Sequence, residues 1–258
     1  MRGRRPIAVE DYSSIVVLSG AGISVASGIR PYRGPGGLWN DESLVKFADI
    51  ASFHEDPLAV WRFWWKTRES VLAARPNPAH EALADFEAGW AAGEPGAIAG
   101  GFTLITQNID GLHRRAGSRN LVEYHGNVLY TRCSNPGCAL ESYVDGCIEG
   151  ETPPLCPRCG SLLRPDIVMF GENIPPAKHM AAEDALANCD LFIAVGTSGT
   201  VYPASGFVSL AKEVGARTAL INLETIRAGD GVSDFDEEIL GRAEELLPLI
   251  FGREAAEP

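Results

Sequence analysis

Ile15-Val16-Val17-Leu18-Ser19-Gly20-Ala21-Gly22-Ile23-Ser24 is the stretch on which the fold turns. Its first four residues form a short, continuous, β-branched run, the pattern of a strand buried on both faces. The run passes straight into a glycine turn leading to Ser27-Gly28. Three more runs repeat the pattern. Residues 102–106 end at Gln107-Asn108-Ile109-Asp110, 191–195 at Gly196-Thr197-Ser198, and 218–221 at Asn222-Leu223-Glu224. Helical stretches such as 181–188 and 206–214 separate several of them. Strand and helix in alternation predict a parallel sheet covered on both faces. Ligands of such sheets bind just beyond the carboxyl ends of the strands, so the four tips are where a site is expected.

Two stretches break the alternation. Residues from about 34 to 93 turn helical and aromatic-rich, with Trp61, Phe63, Trp64 and Trp65 close together. Residues 127–165 hold five of the six cysteines and many turn formers. The expected architecture is therefore α/β. A Rossmann-like parallel-sheet domain is built from 1–33, 96–126 and 166–258, and a smaller lobe from a helical insert (34–95) and a cysteine-bearing insert (127–165). There is no internal repeat and no low-complexity tract.

Cys133-x4-Cys138 and Cys156-x2-Cys159 are two close pairs separated by 17 residues. Thiolates pair in this way when a tight turn presents two sulfurs to one Zn²⁺, and two such knuckles complete a tetrahedron. Asn135-Pro136-Gly137 and Pro157-Arg158 suit those turns. Four sulfurs leave no open coordination position, so the metal is expected to hold the small lobe together and take no part in chemistry. Cys147 and Cys189 fall outside the knuckles and read as packing residues.

Composition sets the remaining bounds. With 258 residues and 45% apolar content, the chain can bury a real core. Its net charge of −12 disfavours nucleic acid and anionic membranes, which both need a positive field, and suits basic peptides. No run reaches the length of a transmembrane helix. The basic start, 1–6, is followed by Glu10 and Asp11 rather than by the apolar core of a secretory signal. A cytoplasmic monomer is the expectation.

Gly20-x-Gly22 after a buried strand is by itself a weak dinucleotide signal. Glycines let backbone N–H groups approach a pyrophosphate, but turn geometry alone also selects them. Here the third glycine comes late, at Gly28, and no strand-end acid follows about 20 residues on. Glu224, at the end of the fourth run, is the candidate ribose contact. An unusual NAD site is expected rather than a hydride-transferring one.

At this point the residues resemble a known family, the sirtuins. Gly20-Ala21-Gly22-Ile23-Ser24 with Ser27-Gly28-Ile29 and Tyr32-Arg33-Gly34 is similar to the opening sirtuin motif. Gln107-Asn108-Ile109-Asp110-Gly111-Leu112-His113 resembles the second and His125-Gly126 the third. Gly196-Thr197-Ser198 with Val201-Tyr202-Pro203-Ala204 resembles the fourth, and Asn222-Leu223-Glu224 the fifth. The four cysteines fall where a sirtuin zinc ribbon falls.

The resemblance implies an NAD⁺-consuming deacylation of acylated lysines in proteins or peptides. The acyl oxygen attacks C1′ of the nicotinamide ribose, nicotinamide leaves, and a histidine acts as base on a ribose hydroxyl. The products are free lysine, nicotinamide and O-acyl-ADP-ribose. By motif position the base is His125, a role that suits a neutral imidazole. Asn108 and Asp110 resemble the pair that holds the nicotinamide carboxamide and its ribose, with Gln107 and Ile109 beside them. Gly20, Ala21, Gly22, Arg33, Gly196, Thr197 and Ser198 resemble phosphate and ribose contacts. Asn222, Leu223, Glu224 and Ala243 resemble adenosine-end contacts. Val168, Phe170 and Gly171 resemble the segment that pairs with substrate as an added strand, a mode that reads backbone more than sequence. His54, His80 and His179 read as ordinary hydrogen-bonded histidines, and His113 as a support of the fold.

Two departures bear on activity. The usual Gly-Ile-Pro-x-Phe-Arg-Gly is here Gly28-Ile29-Arg30-Pro31-Tyr32-Arg33-Gly34: proline has moved one place, Arg30 is new, and Tyr32, a candidate substrate contact, replaces Phe in the loop that by resemblance closes over NAD⁺. Sirtuins that remove succinyl or malonyl groups carry Tyr-x-x-Arg in the helical insert, and here those positions are Trp64 and Thr67. Arg68 is one place along and, on a helix, points about 100° away. A buried acyl carboxylate would lack a partner, so acetyl or longer apolar acyl groups are expected over succinyl. Two other readings use the same residues: mono-ADP-ribosyl transfer to protein, and a non-catalytic NAD⁺ or ADP-ribose sensor, which would need no base.

Overall fold

The structure, a computed structural model, describes residues 6–32, 36–91, 101–198, 206–226 and 234–252. Nine strands are found among them: β1 (Ile15–Ser19), β2 (Phe102–Thr106), β3 (Leu121–Glu123), β4 (Gly126–Cys133), β5 (Tyr143–Val144), β6 (Leu163–Ile167), β7 (Leu191–Val195), β8 (Arg217–Asn222) and β9 (Glu237–Leu240). Six of them form a fully parallel sheet in the order β3-β2-β1-β7-β8-β9. All five residues of β1 and all five of β7 are buried, as expected of central strands with both faces covered.

The helices are α1 (Glu42–Val45), α2 (Ile50–Glu55), α3 (Pro57–Ala73), α4 (Pro78–Ala91), α5 (Leu112–Ala116), α6 (Pro176–Ala187), α7 (Phe207–Glu213) and α8 (Ala243–Phe251). One core lies between the sheet and α4 and α8, through Val17, Leu83, Ile193 and Ile250. A second fills the opposite face under α6 and α7, through Leu18, Leu186, Phe192 and Phe207. Alternate residues of β1 thus feed opposite cores, the period-2 consequence of a pleated strand.

The third core joins α3 to a small antiparallel sheet, β5-β4-β6. Pro57 opens α3 where its missing N–H costs nothing, and Asp56 caps it by accepting from Ala59 N at 3.0 Å. Trp61 and Trp65 stack with centroids 5.4 Å apart, and Trp61 Nε1 donates to the Leu163 carbonyl at 2.9 Å. Arg68 is wholly buried. It donates to the carbonyls of Val128 and Tyr130, to Thr131 Oγ1 and to Asp145 Oδ2.

The four expected strands are found within a residue of their bounds. β3 and β9 were not read from the sequence, because they are short, half-buried edge strands with acidic residues. Helix α4 also departs from expectation. Read as part of the helical insert, it packs Ala79, Ala82 and Leu83 into the core of the parallel sheet. No helix among the described residues is long and apolar enough to cross a membrane.

Candidate active site

The tips of β2, β1, β7 and β8 stand side by side at one edge of the sheet. The chain winds outward from β1 to β2 and β3, then crosses to β7 on the other flank, so the switch point of the topology falls between β1 and β7. That is where doubly wound sheets open a crevice for ligands. The glycines at this point fit one another. A Cβ on Gly20 would sit 2.6 Å from the Gly196 carbonyl oxygen, one on Gly22 2.7 Å from Gly196 Cα, and one on Gly196 2.6 Å from Ile23 N. Gly196 also has φ +58. Backbone contact between two tips therefore selects these three glycines. Gly22 N donates to the Gly196 carbonyl at 2.8 Å, and Ala21 opens the 3-10 turn Ala21–Ser27 that follows.

His125 lies in the turn between β3 and β4. Its Nδ1 is 2.9 Å from the Gln107 carbonyl oxygen. A carbonyl can only accept, so Nδ1 carries the proton and Nε2 keeps its lone pair. Burial lowers the affinity of the ring for a proton; the Gln107 carbonyl partly opposes this, and the Lys178 charge reinforces it. The backbone is held too, with the His125 carbonyl accepting from Val168 N at 2.8 Å.

Asn108 and Asp110 follow β2 and are almost fully buried, as is Ile109. Asp110 accepts from Leu112 N at 2.9 Å and from Ser24 Oγ at 2.8 Å. Asn108 Nδ2 donates to the Gly20 carbonyl at 3.0 Å and to Ser24 Oγ at 3.2 Å. Ser24 thus binds the pair to the first glycine turn. Behind it stands His80, whose Nδ1 accepts from Asn77 N, so that Nε2–H faces Ser24 Oγ at 3.4 Å. His113 packs on His80 with ring centroids 4.7 Å apart and contacts Ser19 Oγ through Nε2 at 2.8 Å. Burial lowers His80 to about 4 and holds His113 well below the ordinary range, so both rings are neutral. Burial is also the main cause that raises Asp110 above the usual carboxylate range.

The sequence reading missed the role of Ser24 and of Asn77-x-x-His80 in this layer. The spacing that could have disclosed it is Asn at a helix start with His three residues on. Asn77 accepts from Ala79 N at 2.9 Å as the cap of α4, while its Nδ2 donates to the Ile23 carbonyl at 2.8 Å.

Farther along the edge, Gln107 Nε2 approaches Thr197 Oγ1 at 3.4 Å, and Asn222 Nδ2 donates to the Thr197 carbonyl at 3.2 Å. Ser198, Leu223 and Glu224 are exposed. Gly241 N donates to the Asn222 carbonyl at 2.9 Å, which brings Ala243, at the start of α8, to the tip of β8. Arg33 and 201–204 lie outside the described residues.

Val168, Phe170 and Gly171 follow β6. Phe170 is exposed, and Gly171 has φ +86. Tyr32 and Thr67 are half-buried, and Trp64 is buried in the third core. Trp64 Nε1 donates to the Phe47 carbonyl, and Thr67 Oγ1 to the Phe63 carbonyl, both at 3.0 Å. The Arg68 guanidinium points into the small lobe, as its helical position required, and is consumed there.

The four knuckle cysteines converge. Cys133 Sγ is 3.5 Å from Cys159 Sγ and Cys138 Sγ is 3.7 Å from Cys156 Sγ, with all four sulfurs within 4.8 Å of one another. Sulfurs bound tetrahedrally to one zinc lie about 3.8 Å apart, so the cluster fits that ion. Cys147 is exposed and Cys189 buried, both away from the cluster.

Fold and site together define a two-sheet α/β protein with its polar strand tips gathered at the switch point and a four-cysteine cluster able to hold a metal in its smaller lobe. Comparison with known proteins gives the family. The model of the Sir2 family matches residues 20–203. NAD-dependent protein deacylase 2 of Pyrobaculum aerophilum is 45% identical over 236 residues, 91% of this chain and 88% of that one. The mitochondrial NAD-dependent protein deacylase sirtuin-5 of Canis lupus familiaris is 40% identical, covering 83% of this chain and 74% of the relative. Among solved structures, a Sir2 homologue in complex with NAD superposes with TM-score 0.81 at 35% identity, over 94% of this chain and 90% of the other. The chain belongs to the Sir2 family.

Proposed function

We propose that this chain is an NAD⁺-dependent protein lysine deacylase, with acylated lysines of proteins or peptides as its substrates. The observation that carries the reading is the tautomer of His125. The Gln107 carbonyl holds the proton on Nδ1, and burial keeps the ring neutral, so Nε2 is free to accept a proton. A protein that only bound NAD⁺ would need no such base.

NAD⁺, as co-substrate, supplies the electrophilic ribose carbon and takes up the acyl group as nicotinamide departs. The other roles follow the strand tips. Asn108 and Asp110, oriented by Ser24, offer an amide and a carboxylate to the nicotinamide and its ribose. Thr197 and Ser198 serve the middle of the dinucleotide; Asn222, Glu224 and Ala243 serve its adenosine end. The four cysteines hold a structural zinc. Val168, Phe170 and Gly171 offer backbone to the substrate strand. We also take the protein to act as a cytoplasmic monomer, and light scattering that returned a dimer would overturn the oligomeric part.

Tyr32, Trp64 and Thr67 surround the acyl chain in this reading. With Arg68 bound to three carbonyl groups, Thr131 and Asp145, an acyl carboxylate finds no free cation on α3 among the described residues. Acetyl or longer apolar chains are therefore preferred over succinyl. The test is a panel of acetyl-, longer-acyl- and succinyl-lysine peptides with NAD⁺, run on wild type and His125→Ala. Release of nicotinamide with loss of the acyl mass is expected, fastest for apolar chains. Succinyl turnover well above acetyl refutes the acyl preference. Gain of an ADP-ribose mass on the peptide in place of acyl loss refutes the deacylase reading.

A further inference from the structure

Beside Val168 lies a cavity of about 240 Å³ whose walls include Arg132, Asp166, Glu172 and Lys178. None of these charged residues is among those assigned above to the dinucleotide, the base or the metal, and only Lys178 bears on that site, through its charge at His125. Most are already engaged with one another. Arg132 stands 3.2 Å from Asp166 and 3.6 Å from Glu172. Arg164 grips Glu172 with two N–H bonds of 2.7 and 2.6 Å, and Asp166 also accepts from Ser142 Oγ at 2.7 Å. Both carboxylates are thus committed.

Lys178 differs. It is half-buried near the start of α6, and its ammonium feels Asp166 and Glu123 at a distance but makes no direct ion pair among the described residues. Four cations (Arg114, Arg132, Arg164 and Lys178) stand against three carboxylates (Glu123, Asp166 and Glu172), with Arg114 paired to Glu123 at 2.8 Å. One positive charge is left over, in a chain whose net charge is −12. The surplus sits next to the reaction site. Val168, which lines the cavity, donates its N–H to the His125 carbonyl, and the Lys178 charge is felt at the His125 ring.

We infer that this cavity is a subsite for an acidic side chain of the substrate, close in sequence to the acyl-lysine, and that Lys178 selects it. The inference rests on the deacylase reading, with the substrate strand laid along 168–171. On such a strand the rise is about 3.3 Å per residue, so residues within two places of the acyl-lysine lie within about 7 Å of it. An Asp or Glu entering the cavity meets the unpaired ammonium and the edge of Arg132. An apolar side chain would strip Lys178 of water and return nothing. A substrate lysine would bring like charges together, and specificity comes as much from that repulsion as from attraction. The order at this position is acidic over neutral over basic, the reverse of what the acidic surface of the whole chain suggests.

The test uses acetyl-lysine peptides with Glu, Ala or Lys placed in turn at each position from two before to two after the acetyl-lysine. Wild type, Lys178→Ala and Lys178→Glu are assayed for KM with NAD⁺, and for peptide binding by fluorescence anisotropy without it. The readout is the Glu-to-Ala ratio within each enzyme, so a general loss of activity cancels. At one position wild type should favour Glu about two- to fivefold, as suits a half-exposed ion pair, and less so at high salt. The preference should vanish in Lys178→Ala and pass to the lysine peptide in Lys178→Glu. A flat profile in wild type, or a Glu preference that survives Lys178→Glu, overturns the subsite. A succinyl-lysine peptide without acidic neighbours is the control. If only that peptide depends on Lys178, the cavity takes an acyl carboxylate and the inference fails. Failure of every peptide to release nicotinamide would instead count against the deacylase reading, while anisotropy still reports on the subsite.

Discussion

His125 shows how one backbone carbonyl can set the chemistry of a side chain. Without the Gln107 contact the imidazole could present either nitrogen; with it, the acceptor is Nε2. Because burial holds the ring below its ordinary value of 6.5, the imidazole proposed as base stays neutral into mildly acid solution. The acid limb of kcat/KM is therefore expected to inflect below pH 6.5, and His125→Ala to lose about 10²- to 10⁴-fold. An inflection above 6.5 would contradict the assignment. His80 titrates for a different reason and affects stability. Its value falls from 6.5 unfolded to about 4 folded. The unfolded chain therefore binds the extra proton first, and stability declines as pH drops through that window. The full effect is roughly 3 kcal/mol. Urea midpoints of wild type should fall between pH 6.5 and 4 by more than those of His80→Gln. Equal slopes would mean that the ring is not held neutral.

At the scale of elements, the decisive contact is between the tips of β1 and β7. Gly20 and Gly22 meet Gly196 backbone to backbone, and no side chain fits between them. Gly196→Ala would strain a positive φ and force the two tips apart, at a cost of about 2–5 kcal/mol in chemical denaturation. Gly28 gives the control. Its φ is +85, but a Cβ there meets nothing within 4 Å, so Gly28→Ala should cost only about 1–2 kcal/mol. Similar losses for the two would show that the crevice tolerates separation of its walls.

For the molecule as a whole, the lobes differ in what holds them. The parallel sheet carries two cores of its own, one on each face. The smaller lobe relies on the third, where Cys133 and Cys156 pack with Trp61, Trp64 and Trp65. Arg68 ties α3 to β4 there, with its guanidinium fully buried. Chelation of zinc should therefore open this core first, seen as a red shift of tryptophan emission and a lower first thermal transition. The far-ultraviolet signal of the sheet should persist. One zinc per chain is expected by atomic absorption, and identical melting before and after its removal would refute the structural role.

Local order in the chain was enough to disclose the four central strands, their polar tips and the knuckle spacing of the cysteines, while His125 was singled out only by its resemblance to a family motif. A buried strand needs a continuous apolar run, and two metal knuckles need close pairs, so both are written in neighbouring residues. Ser24 and His80 could not be read this way, because Ser24 is 86 residues from its partner Asp110 and 56 from His80, and the three meet only when β1 and β2 pair and α4 packs beside them. The same holds for the packing of α4 on the parallel sheet, for the burial that sets the protonation of His80 and His113, and for the charge left over at Lys178. Each depends on which distant groups share a low-dielectric space, and only the folded chain brings them together.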